Sequence, residues 1–130
     1  MTDRLDAQLA AAYERYAACY EENLSRLCPG DRCSDLYGAA RARLAAAGLQ
    51  LTSEKIGHGT GVDFREAPWI SAMNDEELPA GSVLAFDYAA DTDRLMLHVE
   101  DRVLVDAEGP RRLSDGWDLS DAREGFRTLL

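Results

Sequence analysis

The runs Ser82–Ala90 (SVLAFDYAA) and Arg94–Asp106 (RLMLHVEDRVLVD) decide the fold of this 130-residue chain. Both alternate in the way that puts successive side chains on opposite faces of a β-strand. The short polar turn between them is typical of a hairpin. In such a hairpin Asp87 faces the same side as His98 and Glu100. That side is either a polar pocket on an otherwise apolar sheet or the solvated face, and alternation favours neither reading.

Two amphipathic helices are predicted before these strands. Residues 4–27 carry Leu, Ala and Tyr at helical spacing, and the predicted helix ends before Pro29-Gly30. We expect its tyrosines to face the core. A second helix begins near Ser34. Gly48 is placed to end it in the left-handed conformation.

Further strands are predicted at Leu49–Ile56, Gly61–Phe64 and Arg111–Leu113. Two helices followed by strands, without βαβ alternation, indicate an α+β fold in which the helices pack on a curved, mainly antiparallel sheet. We predict one domain over residues 1–130, with the helices at about 4–47, the sheet at about 49–113 and a tail with a helix-like pattern at 114–130.

The composition is that of a folded, acidic protein, with 46% hydrophobic and 29% charged residues and a net charge of −10. It argues against a nucleic-acid partner, because no Lys/Arg cluster offsets phosphate repulsion. The one adjacent basic pair, Arg111-Arg112, is expected on an exposed strand edge. No run approaches membrane-spanning length and no signal-peptide pattern is present, so we expect a cytoplasmic protein with no membrane contact and three reduced cysteines.

A lone histidine between two glycines occurs in Ile56–Pro68 (IGHGTGVDFREAP). Glycines allow backbone segments to approach closely, so the imidazole of His58 can project into a cavity. With Asp87 and Glu100 it forms a set of one nitrogen and two carboxylate ligands, which suits Mn, Fe, Co or Zn better than thiophilic ions. The sequence therefore predicts a metal site at His58, Asp87 and Glu100.

Four segments, in the same order, resemble the pita-bread metallopeptidases, which include methionine aminopeptidase, Xaa-Pro aminopeptidase, prolidase and creatinase. They are Leu24–Gly30 (LSRLCPG), Ile56–Pro68, Leu78–Asp87 (LPAGSVLAFD) and His98–Leu113, which begins HVEDRVLV. The resemblance runs roughly from Leu9 to Ser114 and covers only the second half of the family's catalytic domain. It implies half of a pita-bread fold.

The resemblance also implies site residues. His58, Asp87 and Glu100 fall on ligand positions of the family's dinuclear metal centre, with Asp87 in place of a glutamate. Arg65 stands where the family has a second catalytic histidine, and His98 replaces an arginine. We expect His98 to take part in proton transfer and Arg65 to hold a substrate carboxylate, unless Arg65 is a surface side chain paired with its acidic neighbour.

Two of the predicted ligands also have a structural interpretation. His58 could cap the glycine turn, and Glu100 could pair with Arg102 or Arg94.

The missing first half, which in the family brings two aspartate ligands, leads to three hypotheses for function. Two copies related by a two-fold axis would rebuild a whole domain around a metal pair and act as a hydrolase or lyase on a small amide or imino-acid substrate. A separately encoded first-half partner would complete the site in a similar way. Alternatively, the chain is a non-catalytic binding or assembly module.

Overall fold

The computed structural model describes residues 2–63, 65–92 and 95–113, with side chains from residue 7 onward. The predicted tail at 114–130 lies outside these ranges. Within them, two helices are followed by six strands: α1 (Thr2–Ser25), α2 (Cys33–Ala46), β1 (Gln50–Leu51), β2 (Lys55–Gly59), β3 (Glu66–Ser71), β4 (Ser82–Asp91), β5 (Met96–Asp106) and β6 (Gly109–Arg112). The strands form one antiparallel sheet in the order β3-β2-β4-β5-β6, and β1 pairs with β4 beyond the end of β2. The α+β prediction is confirmed.

The β4–β5 hairpin keeps one register along the whole of β4. Leu84, Phe86 and Tyr88 point to one face, where they are fully buried in a core shared with the helices. Asp87 lies on the opposite face, directly across from Glu100. The hairpin therefore separates an apolar face, covered by the helices, from a face that carries charged side chains.

The tyrosines of α1 belong to the core, as predicted. Tyr16 and Tyr20 are fully buried. The ring centroid of Tyr16 lies 5.5 Å from that of Tyr88, and the ring centroid of Tyr20 lies 4.9 Å from that of Phe86. Gly48 follows α2 with a φ of 77°, which confirms the predicted helix end. Neither helix, over its described length, is long and apolar enough to cross a membrane.

Strands β1 and β2 replace the single strand predicted at Leu49–Ile56. Between them, the Ser53 hydroxyl accepts a hydrogen bond from the amide of Ala89 at 2.7 Å. The carbonyl of Ser53 accepts another from the Tyr37 hydroxyl at 2.8 Å. Because these side-chain contacts take the place of regular ladder bonds at Ser53, the strand is interrupted there.

The strand predicted at Gly61–Phe64 is wrong for residues 61–63, which form bends. The amide of Gly61 donates to the carbonyl of Asp63 at 3.3 Å, and the amide of Asp63 donates to the Glu66 carboxylate at 3.3 Å. These short-range hydrogen bonds compete with strand pairing. Phe64 lies outside the described residues, and the strand begins at Glu66 instead.

The exposed edge predicted for Arg111-Arg112 is right for Arg111 and wrong for Arg112. The Arg112 guanidinium donates to both carboxylate oxygens of Glu21 on α1, at 2.7 and 3.0 Å, and to the buried Asp101 at 3.3 Å. These hydrogen bonds raise the pKa of Arg112 above its usual value. The side chain therefore ties β5 and β6 to the first helix.

Candidate metal centre

Of the two glycines beside His58, Gly59 is needed for the close approach of β2 and β3. At Gly59 an added Cβ would overlap the backbone carbonyl of Ala67 on β3. His58 itself is buried and lies across from Trp69 on β3 and Ala85 on β4. The predicted close backbone approach is confirmed, and it holds the imidazole at the middle of the sheet.

The imidazole of His58 has the orientation of a metal ligand. Its Nδ1 lies 3.0 Å from the Gly59 carbonyl oxygen. In the tautomer that donates from Nδ1, the electron pair is on Nε2, which faces Oδ2 of Asp87 at 3.8 Å. Metal-binding histidines are commonly held in this way, with the second ring nitrogen donating to a carbonyl or carboxylate. This contact to Gly59 also agrees with the structural interpretation of His58.

Asp87 and Glu100 bring two carboxylates to the same place. They are directly opposite in the β4–β5 register, an arrangement that is unfavourable for like charges unless a cation lies nearby. One ligand atom from each of His58, Asp87 and Glu100 lies within 4.8 Å of the other two. The three predicted ligands are therefore brought together by two register pairs of the sheet, His58 with Ala85 and Asp87 with Glu100.

The donor set fits one divalent ion. It combines an imidazole nitrogen with two carboxylate oxygens, the chemistry preferred by Mn, Fe, Co and Zn. Three protein ligands that leave further coordination positions open are typical of catalytic rather than structural metal sites. The Glu100 side chain is 40% exposed, so this face is open to solvent in the single chain.

Two more polar side chains contact the carboxylates. His98 Nε2 contacts Oδ1 of Asp87, and Arg102 Nη1 donates to Oε1 of Glu100 at 2.6 Å. The Glu100–Arg102 pair is the structural alternative considered for this glutamate, whereas Arg94 lies outside the described residues.

Arg65 lies in the segment before β3 and is exposed. The structure does not bring it into the group of His58, Asp87 and Glu100. Its expected contact with a substrate carboxylate stays a prediction.

Sequence reasoning missed Trp69, which lies beside His58. Trp69 lies across from His58 with ring centroids 6.0 Å apart, and its own ring has Lys55 Nζ 5.7 Å from the centroid. Arg102 lies across from Ala85, so Trp69, His58, Ala85 and Arg102 follow one another across four strands. The signal was hidden because the strand that carries Trp69 was predicted in the wrong place.

A buried tyrosine of α1, Tyr16, forms hydrogen bonds with the backbone of both strands that carry the carboxylates. The Tyr16 hydroxyl donates to the carbonyl of Tyr88 at 2.7 Å and accepts from the amide of Val99 at 3.0 Å. These two residues adjoin Asp87 and Glu100 in sequence and are opposite each other in the sheet. Burial raises the pKa of Tyr16 far above its usual range. The hydroxyl therefore stays protonated and acts as a structural bridge rather than as an acid or base.

Comparison with known proteins agrees with this arrangement. Residues 2–107 match the family model of metallopeptidase family M24. Dipeptidase PepE from Mycobacterium ulcerans is 26% identical with a TM-score of 0.75, over 85% of this chain and 30% of that one. X-Pro aminopeptidase from Thermotoga maritima MSB8 is 22% identical with a TM-score of 0.71, over 82% and 31%.

The fold also occurs in a protein whose name mentions no peptidase. The N-terminal domain of FACT complex subunit SPT16 from chickpea, Cicer arietinum, is 23% identical with a TM-score of 0.69, over 86% of this chain and 30% of that one. No curated protein sequence matches the chain. The chain spans 30–31% of the length of these three structures. Because the family model matches most of its residues, the chain belongs to metallopeptidase family M24, and its two helices and antiparallel sheet are half of a pita-bread fold.

Proposed function

We propose that this protein is a metal-dependent hydrolase or lyase that acts on a small amide or imino-acid substrate at a site completed by a second copy of the chain. One observation carries the proposal: His58, Asp87 and Glu100 converge within 4.8 Å on the sheet face opposite the helices. Membership of a metallopeptidase family supports a divalent ion as the cofactor.

In this proposal His58, Asp87 and Glu100 hold the ion. When bound, a divalent ion supplies Lewis acidity toward a carbonyl or similar group. His98, half-exposed and in contact with Asp87, is placed at the edge of the site, where it can exchange protons with a substrate. Arg65 is the proposed contact for a substrate carboxylate, since a guanidinium binds such a group through two parallel hydrogen bonds.

The open face of the sheet supports a second copy as the missing partner. Val83 and Met96 expose apolar surface on the same face as Glu100, with Met96 70% exposed. This chain covers only 30–31% of the length of the solved relatives. An isologous dimer is the commonest way to cover such a face.

The charge of this face implies that assembly requires the ion. Two copies would bring together four carboxylates, Asp87 and Glu100 of each, and like charges at close range repel each other. A bound cation removes that repulsion. The dimer is therefore expected to form with metal and to weaken when the metal is removed.

A non-catalytic binding or assembly module is the second candidate, and one observation favours it. Both carboxylates already have protein partners, Asp87 in His98 and Glu100 in Arg102. The fold likeness to a domain of the FACT complex subunit agrees with such a use, because fold alone does not imply catalysis.

Metal analysis separates the two candidates. Protein purified without chelator is analysed by inductively coupled plasma mass spectrometry, together with Glu100→Gln and the control Glu108→Gln, which changes an exposed glutamate in the β5–β6 turn. The proposal expects about one or more transition ions per dimer in the wild type and the control, and a loss in Glu100→Gln. Absence of bound metal after loading with Mn, Fe, Co and Zn would support the module.

Sedimentation equilibrium at micromolar concentration tests the second copy. We expect a dimer with metal, a shift toward monomer with chelator, and weaker dimerisation in Met96→Lys. A strict monomer in the presence of bound metal would rule out the homodimer and favour a separately encoded partner.

A further inference from the structure

We infer that Asp87 can bridge two metal ions and that His98 is a ligand of the second. The inference rests on the proposed metal site at His58, Asp87 and Glu100 and extends it, and it replaces the proton-transfer role of His98 Nε2 with that of a ligand. Its basis is that the two oxygens of the Asp87 carboxylate face two different imidazoles: Oδ2 faces Nε2 of His58 at 3.8 Å, whereas Oδ1 contacts Nε2 of His98.

The sheet register places His98 beside the first group rather than inside it. His98 lies across from Ala89, which is two residues beyond Asp87 on the same face of β4. It is thus the diagonal cross-strand neighbour of Asp87, a separation that long side chains can span. Among the described residues the three-ligand group consists of His58, Asp87 and Glu100 and does not include His98. His98 therefore defines a second metal position, next to the first one and on the Oδ1 side of the Asp87 carboxylate.

The chemistry of the three side chains suits a shared carboxylate. A carboxylate has two oxygens with separate lone pairs, so each can bind a different ion. A neutral imidazole nitrogen binds the same divalent ions as the first group. In two-metal sites the ions lie about 3.5–4 Å apart, a spacing that a carboxylate can bridge.

The difference from the family pattern has a direct consequence here. By resemblance, the position of His98 is an arginine in other members of the family, and a guanidinium cannot donate an electron pair to a metal. The His98 side chain is 49% exposed. The second ion would thus be the more accessible of the two, with its remaining coordination positions open to solvent or substrate.

Manganese titration of the full chain tests this assignment. Isothermal titration calorimetry with Mn²⁺ is expected to give about two ions per chain for the wild type and about one for His98→Ala, with the affinity of the remaining ion within about threefold. His98→Arg, which introduces the residue typical of the family, should behave in the same way. Electron paramagnetic resonance should show a coupled manganese pair in the wild type and an isolated ion in both variants.

The outcomes distinguish this inference from the proposed function. If the wild type binds one ion and His98→Ala binds it with equal affinity, His98 is only a neighbour of Asp87 and the bridge is wrong. If the wild type binds one ion and His98→Ala weakens it, His98 is a ligand of the first ion, and the bridge is again wrong. His58→Ala reports on the proposed function: tight binding that survives this change, or no binding by the wild type, overturns the first site as well.

Discussion

The Tyr16 hydroxyl bridges two strands of the sheet, and removing it tests how the carboxylate pair is supported. It donates to the Tyr88 carbonyl at 2.7 Å and accepts from the Val99 amide at 3.0 Å. Tyr16→Phe deletes both hydrogen bonds and keeps the buried ring. Because Tyr88 and Val99 are register partners, the bridge lies at the point where the strands carry Asp87 and Glu100.

The size of the effect follows from the number of groups left unsatisfied. A buried backbone group that loses its partner costs about 1–3 kcal/mol, whereas a net hydrogen bond contributes about 1 kcal/mol. The carbonyl of Tyr88 and the amide of Val99 bind the same hydroxyl and belong to register partners, so a small strand movement can restore part of the loss. We therefore expect Tyr16→Phe to lower the free energy of unfolding by about 1–3 kcal/mol, or about 4–12 °C in Tm for a domain of this size.

Urea unfolding followed by circular dichroism measures this change. Tyr37→Phe is the matched control, because the Tyr37 hydroxyl makes one hydrogen bond, to the half-buried Ser53 carbonyl at 2.8 Å. Its loss should cost only about 0.5–1.5 kcal/mol. A Tyr16→Phe variant as stable as the wild type, or less affected than Tyr37→Phe, would refute the role assigned to the bridge.

Two further predictions concern the glycine motif and the buried tyrosines. Gly59→Ala should cost about 1–3 kcal/mol and weaken metal binding, because its Cβ would overlap the β3 backbone. Gly38→Ala, in open space on α2, should leave metal binding unchanged and raise stability by up to about 1 kcal/mol. Burial raises the pKa of Tyr16, Tyr20 and Tyr88 above the usual 10.0, so stability is fully present below about pH 10. Above that pH the unfolded chain loses protons that the folded chain keeps, and stability should fall by up to about 4 kcal/mol per pH unit. Tyrosinate absorbance from these three residues should therefore rise together with loss of circular dichroism, and an earlier rise would contradict their burial.

The sequence alone predicted the helices, the β4–β5 hairpin and the side-chain faces of that hairpin. These features depend on local periodicity and on turn residues, which act over a few neighbouring positions. The common face of Asp87, His98 and Glu100 follows from strand alternation once the hairpin forms. The predicted proximity of His58 to the two carboxylates is confirmed, whereas its role as a ligand stays a prediction.

Only the tertiary structure decided which residues surround the predicted ligands. Trp69 lies beside His58 because β3 begins at Glu66. Arg112 is partly buried because it pairs with Glu21 and Asp101, which are distant in sequence. These outcomes depend on strand register and on pairing between remote charges, and local patterns carry no information about either. Side-chain type and period thus determined the faces of the strands, and long-range packing determined what each face contacts.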